Sequence, residues 1–73
     1  MKFRFSHHAQ FRIFIERGIS AADIKSVINR PDTLSHFEGG VVKARKNLDR
    51  GLLCVVYSKD RSGTHVIITA YFI

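Results

Sequence analysis

The chain has 73 residues, of which 45% are hydrophobic, and it carries 12 Lys and Arg against 6 Asp and Glu. This length suits one small domain, residues 1–73, and a net charge of +6 favours polyanionic partners such as nucleic acid or an acidic protein. The single cysteine, Cys54, excludes an internal disulfide, and no apolar run approaches the roughly 20 residues of a membrane-spanning helix. We therefore expect a cytoplasmic protein with no membrane partner.

The first part of the sequence predicts a short strand and a helix. Residues 2–5 alternate polar and apolar side chains, as strands do. Ser6 has the chemistry of an N-cap for a helix over residues 7–17, and Gly18 is a typical residue for its end. The apolar residues expected to face the core are spaced along one side of this helix: Phe11, Phe14 and Ile15.

The second helix has the clearest boundary signals in the chain. Ser20 and Asp23 stand at the positions of a capping box, with Asp in place of the preferred Glu or Gln. The helix is expected to end before Pro31, because proline disfavours helical geometry in the residue that precedes it. Its buried side is expected to consist of Ile24, Val27 and Ile28.

After Pro31 the pattern changes from helical to alternating, which predicts an antiparallel meander. The predicted strands cover residues 33–37, 41–48, 52–58 and 64–73. The fold class is therefore α+β, with two N-terminal helices packed on one face of a three- to four-stranded antiparallel sheet. The short first strand would precede the helices in this arrangement.

Alternation along the strands predicts that the other face of the sheet is polar and basic. Lys43 and Arg45 share one side of their strand. In the last strand, strict alternation places His65 and Tyr71 together on one side. We expect both sets to meet on the face that the helices leave uncovered.

These residue types suit cleavage of an RNA phosphodiester by its own 2′-hydroxyl group. The reaction needs groups that exchange protons, and cations that stabilise charge on the phosphoryl oxygens. The candidate catalytic residues are His8, Lys43, Arg45, His65 and Tyr71. The candidate nucleic-acid-binding residues are Arg12, Arg17, Lys46, Arg50 and Arg61.

Structural roles remain open for several of these residues. His8 is either catalytic or a residue that caps its helix or packs on the sheet edge. Arg12 and Glu16 have the spacing of a helical i,i+4 ion pair. The spacing of the histidines and Cys54 fits no metal site, so neither a metal nor another cofactor is expected.

Two stretches of the sequence resemble a family of small bacterial domains of unknown function. They are SHHAQFRIFIERGIS, at residues 6–20, and VIITAYF, at residues 66–72. The positions that match the family pattern are Ser6, His8, Ala9, Arg12, Arg17, Gly18, Ile19, Ser20, Thr69 and Tyr71. This family is similar to the BrnT and RelE/ParE toxins, in which helices pack on a small antiparallel sheet whose open face meets RNA.

The resemblance implies the toxin of a type II toxin–antitoxin pair. Such a protein would be a metal-independent endoribonuclease that cleaves mRNA, alone or on the ribosome. A cognate antitoxin would neutralise it, and oligomers would form through that antitoxin. The alternatives are a non-catalytic nucleic-acid-binding or antitoxin-like regulator, whose second helix would enter DNA, and a toxin directed at gyrase.

Overall fold

The computed structural model of the chain describes residues 2–73. It has a five-stranded sheet and two helical regions. In chain order the elements are β1 (Phe3–Phe5), α1 (His7–Gln10), a π-helical segment (Phe11–Glu16), α2 (Ala21–Asn29), β2 (Thr33–His36), β3 (Val41–Leu48), β4 (Gly51–Lys59) and β5 (His65–Phe72).

The sheet is mixed, with the strand order β1-β5-β4-β3-β2. Strands β2 to β5 form the expected antiparallel meander, and β1 adds to β5 in the parallel direction. The prediction of an α+β chain is confirmed. The short first strand and the four antiparallel strands are present, but the prediction of a sheet with three or four strands, all antiparallel, was wrong, because residues 3–5 pair with residues 65–67 and add a fifth, parallel strand.

The core lies between one face of the sheet and the helices. Leu53 and Val55 of β4 are fully buried, and they belong to the same apolar cluster as Val27 of α2 and Ile13 of the π-helical segment. Ala44 and Ala70 on the flanking strands have no exposed surface, because small side chains there let the helices approach the sheet. Within residues 2–73, both helical regions pack on this one face of the sheet, and the opposite face has no helix on it.

The first helical region differs from the expected α-helix after its first turn. Ser6 caps it, since its hydroxyl accepts a 3.0 Å hydrogen bond from the Ala9 amide. From Phe11 the backbone adopts wider π-helical turns, in which the Arg17 amide donates to the Arg12 carbonyl five residues earlier. Gly18 follows with a φ of 62°, as expected for a residue that ends a helix.

The residues of this region that face the core differ from those that the sequence pattern selected. Ile13 is completely buried and Ala9, four residues earlier, is also buried, so these two residues define the face that packs on the core. Phe14 is half-buried, with its ring centroid 5.1 Å from that of Phe5. The prediction that Phe11 and Ile15 are buried was wrong, because they lie away from the face of Ala9 and Ile13 and are 54% and 71% exposed.

Helix α2 confirms the capping and burial predictions. The Ser20 hydroxyl accepts from the Asp23 amide, and the Asp23 carboxylate accepts from the Ser20 amide, which completes the capping box. Ile24, Val27 and Ile28 are buried. No helix within residues 2–73 combines the length and apolar character needed to cross a bilayer.

A β-bulge divides strand β5 into two halves with different side-chain registers. Val56 pairs with Thr69, but the next residue, Tyr57, pairs with Ile67, so Ile68 is an extra residue. Strict alternation therefore fails at Ile68. The prediction that His65 shares a face with Tyr71 was wrong, because the extra residue turns His65 and Ile67 to the helix side of the sheet, where both are buried.

Candidate nucleic-acid interface

Strands β3, β4 and β5 place three of the predicted site residues on the uncovered face of the sheet. Lys43 lies in register with Val56 and, one strand further, Thr69. Arg45 lies in register with Cys54 and, one strand further, Tyr71. Because residues two apart on a strand point to the same side, Lys43, Arg45 and Tyr71 share this face. We call the three residues, together with Phe37, the open-face cluster.

Lys43 lies between two aromatic rings. Its Nζ is 5.9 Å from the ring centroid of Tyr71, and it is also 5.9 Å from the ring centroid of Phe37. Both distances are near the outer limit of a cation–π contact, which is about 6 Å. The ammonium group therefore gains little from either ring.

Arg45 is held in place by the neighbouring strand. Its Nη1 donates a 3.1 Å hydrogen bond to the hydroxyl of Ser35, which lies on the same face of β2. One hydroxyl engages only part of a guanidinium that has five N–H donors, so the others remain for an anion. A planar fork of this kind matches the oxygens of a phosphate.

Cys54 occupies the space between Arg45 and Tyr71. It has no exposed surface, and its two cross-strand neighbours flank it. The thiol is free and buried. We assign it to the floor of the open face.

His65 lies on the other side of the sheet and is 8% exposed. Its ring centroid is 5.1 Å from that of Tyr57 and 5.7 Å from that of Phe3, and its Nδ1 is buried without a hydrogen-bond partner among the described residues. Burial is the main cause that lowers the pKa of His65, and the nearby Lys59 ammonium lowers it further. A hydrogen bond to the Lys2 backbone raises this pKa, but by less. Burial also raises the pKa of the Tyr57 phenol.

The predicted residues of the first helical region also lie away from the open-face cluster. His8 is exposed in the first turn of α1, in the helical layer. Arg12 makes the i,i+4 contact with Glu16, at 4.0 Å between Nε and Oε1, so the ion-pair prediction is confirmed. Arg17 reaches back to the sheet, where its Nη1 donates a 3.5 Å hydrogen bond to the Ala70 carbonyl.

The other predicted binding residues are dispersed over the surface. Lys46 alternates with Arg45 and lies on the helix side of β3. Arg50 Nη2 donates to the Gly18 carbonyl at 3.1 Å and lies 3.4 Å from an Asp23 carboxylate oxygen, so it joins the β3–β4 turn to α2. Arg61 is exposed in the turn between β4 and β5.

Two surface cavities lie away from the open-face cluster. One has a volume of about 370 Å³ and is lined by residues around the β3–β4 turn, including Asp49 and Arg50. The other has a volume of about 440 Å³ and lies on the helix side of the sheet, next to His36, Tyr57 and Lys59. Neither cavity is lined by Lys43, Arg45 or Tyr71.

Metal-ligating side chains do not cluster in the described part of the chain. Within residues 2–73, no three His, Cys, Asp or Glu side chains lie close enough to hold one metal ion. The strand residues that share the face of Lys43 include no imidazole and no carboxylate. Chemistry at this face therefore depends on ammonium, guanidinium and hydroxyl groups.

The sequence reasoning missed Phe37 and Ser35. Ser35 lies in β2, where it pairs with Lys43 of β3, and Phe37 is two residues further along the chain. The same alternation that assigned Lys43 and Arg45 could have placed these two residues on the same face. These two residues were missed because the pattern of residues 33–37 is only weakly typical of a strand.

The fold and the site define a class of protein: a small α+β domain with helices on one side of its sheet and a cationic, aromatic open face on the other. The chain belongs to the family described as Domain of unknown function (DUF4258), whose model matches residues 5–72. The expectation of such a family is thus confirmed. No curated protein and no solved structure gives a significant match to the chain.

Proposed function

We propose that the protein is a metal-independent endoribonuclease and the toxin of a type II toxin–antitoxin pair, with its RNA site on the open face. The observation that carries the proposal is the convergence of Lys43, Arg45 and Tyr71 on an uncovered sheet surface. The net charge of +6 adds long-range attraction for a polyanion. The similarity of the sequence motifs to BrnT and RelE/ParE toxins supports the same reading.

Lys43, Arg45 and Tyr71 each have a defined chemical role in this reaction. The substrate's 2′-oxygen bonds to the adjacent phosphorus while its proton passes to water. Arg45 and Lys43 stabilise the charge that develops on the phosphoryl oxygens. The bond from phosphorus to the 5′-oxygen breaks, and the Tyr71 hydroxyl donates its proton to that oxygen. The products are a 2′,3′-cyclic phosphate and a 5′-hydroxyl, and Tyr71 regains its proton from water.

Of the five catalytic residues inferred from the sequence, this assignment keeps Lys43, Arg45 and Tyr71. His65 is buried against Phe3 and Tyr57, and His8 belongs to the helical layer. Neither imidazole shares the face of Lys43, so the proposed reaction uses neither. Proton transfer then depends on Tyr71, and charge stabilisation on two permanent cations.

The direct test is RNA cleavage by the purified protein, with mRNA alone and in a translation extract. We expect Lys43→Ala, Arg45→Ala and Tyr71→Phe each to reduce the cleavage rate by about 100-fold, the lower range for loss of a charge-stabilising or proton-transfer group. Lys25→Ala is the matched control, since Lys25 is an exposed cation on α2, in the helical layer. Absence of cleavage in both settings would refute the proposal, as would equal rates in all variants.

The toxin role has a separate test in cells. Expression of the chain should arrest growth, and co-expression of a short acidic protein encoded beside it should restore growth. The Tyr71→Phe variant should not arrest growth although it still binds that partner. If the Tyr71→Phe variant arrests growth as strongly as the parent, the toxicity does not depend on RNA cleavage. That result would favour another target, such as gyrase.

A non-catalytic nucleic-acid-binding function is the second candidate. It is favoured by the absence of any imidazole or carboxylate among the strand residues of the open face, because such groups are the usual acids and bases of nucleases. RNA binding without cleavage would support it. Binding to duplex DNA that Lys25→Ala abolishes would instead support a regulator that uses α2.

A further inference from the structure

The open face contains two aromatic rings on either side of one cation, the exposed ring of Phe37 and the half-buried ring of Tyr71. Phe37 is 53% exposed, although a phenylalanine without a partner is costly to leave in water. It follows the last residue of β2, whereas Tyr71 belongs to β5. Lys43 contacts both rings at the same distance, 5.9 Å.

The chemistry of this arrangement matches a nucleotide chain. Bases stack on aromatic rings whatever their identity, because every base has a π face, and a cation between the rings can hold the backbone phosphate. Three hydroxyl-bearing residues, Ser35, Thr69 and Tyr71, lie around Lys43 on the same face and can bond to ribose or phosphate oxygens.

The position of the two rings around Lys43 decides which form of nucleic acid fits. The Lys43 Nζ atom lies over both rings, 5.9 Å from each ring centroid. A base that stays paired within a duplex stack exposes no ring face, so only unpaired bases can stack on Phe37 and Tyr71. With the ammonium group between them, the two bases stack on the rings and not on each other.

We propose that the open face binds a single-stranded segment with two unpaired, splayed bases, one stacked on Phe37 and the other on Tyr71, and with the phosphate between them against Lys43. This inference rests on the proposed function for the choice of polymer, and it adds a residue, Phe37, that the reaction itself does not require. The phenol of Tyr71 then has two separable properties: its ring binds a base, and its hydroxyl takes part in cleavage.

The test measures binding of a 2′-O-methyl oligonucleotide, which has no 2′-hydroxyl to attack and so stays intact. Fluorescence anisotropy of the labelled single strand should show that Phe37→Leu and Tyr71→Leu each weaken binding about tenfold or more, the expected loss of one base–aromatic stack. Phe37→Tyr and Tyr71→Phe, which keep a ring, should bind within about twofold of the parent. The same oligonucleotide annealed to its complement should bind at least about tenfold more weakly than the single strand.

Phe11 supplies a matched control. It is a phenylalanine of nearly the same exposure, 54%, but it lies in the helical layer. Phe11→Leu should leave oligonucleotide binding unchanged. Equal effects of Phe11→Leu and Phe37→Leu would overturn the inference, and so would equal affinity for the single strand and the duplex.

Failure of the stacking site and failure of the proposed nuclease activity would give different results. If the parent cleaves RNA but Phe37→Leu binds and cleaves as the parent does, the stacking site is refuted and the nuclease stands. If the parent does not cleave RNA but both rings are needed for single-strand binding, the nuclease is refuted and the stacking site stands.

Discussion

The imidazole of His65 packs against the phenol ring of Tyr57, with 5.1 Å between the ring centroids. This contact joins β5 to β4 on the helix side of the sheet, and Phe3 of β1 packs on the other part of the same imidazole. His65 thus connects the parallel edge strand to the core. Its charge state therefore bears on the stability of the whole sheet edge.

The first prediction concerns the dependence of stability on pH. Burial and Lys59 lower the pKa of His65 in the folded chain below its usual value of 6.5, so folding favours the neutral ring. The contribution to stability is complete above pH 6.5 and is lost as the pH falls through the lower folded pKa. Urea unfolding at pH 7.5 and pH 5 should show lower stability at pH 5.

Two variants isolate the contribution of His65 to this pH dependence. His65→Phe keeps an aromatic ring in the contact and should reduce the difference in unfolding free energy between the two pH values. His36→Asn removes an exposed imidazole and should leave that difference unchanged. If His65→Phe retains the full pH dependence, another group is responsible.

The second prediction concerns packing in the π-helical segment. Ile13→Ala should lower the free energy of unfolding by about 2–5 kcal/mol, because Ile13 is completely buried. Ile15→Ala should change it by no more than about 0.5 kcal/mol, because Ile15 is 71% exposed. Denaturant unfolding measures both. If Ile13→Ala fails to fold, Ile13→Val should still cost about 1 kcal/mol.

The opposite result would contradict this placement of the helix. If Ile15→Ala were the more destabilising change, the side of Phe11, Phe14 and Ile15 would face the core, as the α-helical spacing predicted. The pair of variants therefore tests which side of the segment packs on the sheet as well as the energy of one contact.

The third prediction concerns Arg50, which we assign to the junction of the β3–β4 turn with α2. Its guanidinium bonds to the Gly18 carbonyl and the Asp23 carboxylate, and its carbon Cζ lies 4.9 Å from the ring centroid of Phe72. Arg50→Ala should lower the free energy of unfolding by about 1 kcal/mol. The expected loss is no larger because the ion pair with Asp23 is partly exposed, and solvent weakens such pairs. Lys25→Ala is the control and should leave the free energy of unfolding within about 0.5 kcal/mol of the parent's.

The fourth prediction uses Cys54 as a reporter of the open face. Its thiol has no exposed surface because Arg45 and Tyr71 flank it on the adjacent strands. An aromatic disulfide reagent should label the folded parent slowly and the Tyr71→Ala variant faster. Saturation with the 2′-O-methyl oligonucleotide should slow labelling of the parent further. If Tyr71→Ala is labelled no faster than the parent, the phenol does not cover the thiol.

Features of the fold that depend on neighbouring residues in the chain could be predicted from the sequence. The capping box at Ser20 and Asp23 is local chemistry, and the sequence predicts it fully. The shared face of Lys43 and Arg45 needs only the period of two within one regular strand. The parts of the fold that follow from a repeating pattern were therefore predicted correctly.

The predictions failed where a partner in space changes the local geometry. The extra residue at Ile68 arises from the pairing of β5 with β4, and no pattern within residues 64–73 reveals it. For the same reason His65 was assigned to the wrong face. Likewise the face of Ala9 and Ile13, and not that of Ile15, packs on the core, and β1 gained its partner from residues 65–67.

The parallel pairing of β1 with β5 has a consequence for synthesis of the chain. Residues 3–5 are made well ahead of their partners, residues 65–67. A nascent chain therefore cannot close this edge of the sheet until β5 is available, and contacts of such long sequence separation form late and slowly. Tyr71 belongs to the same strand, so a nascent chain without β5 carries Lys43 and Arg45 without the phenol. The open face is completed only once β5 has been made.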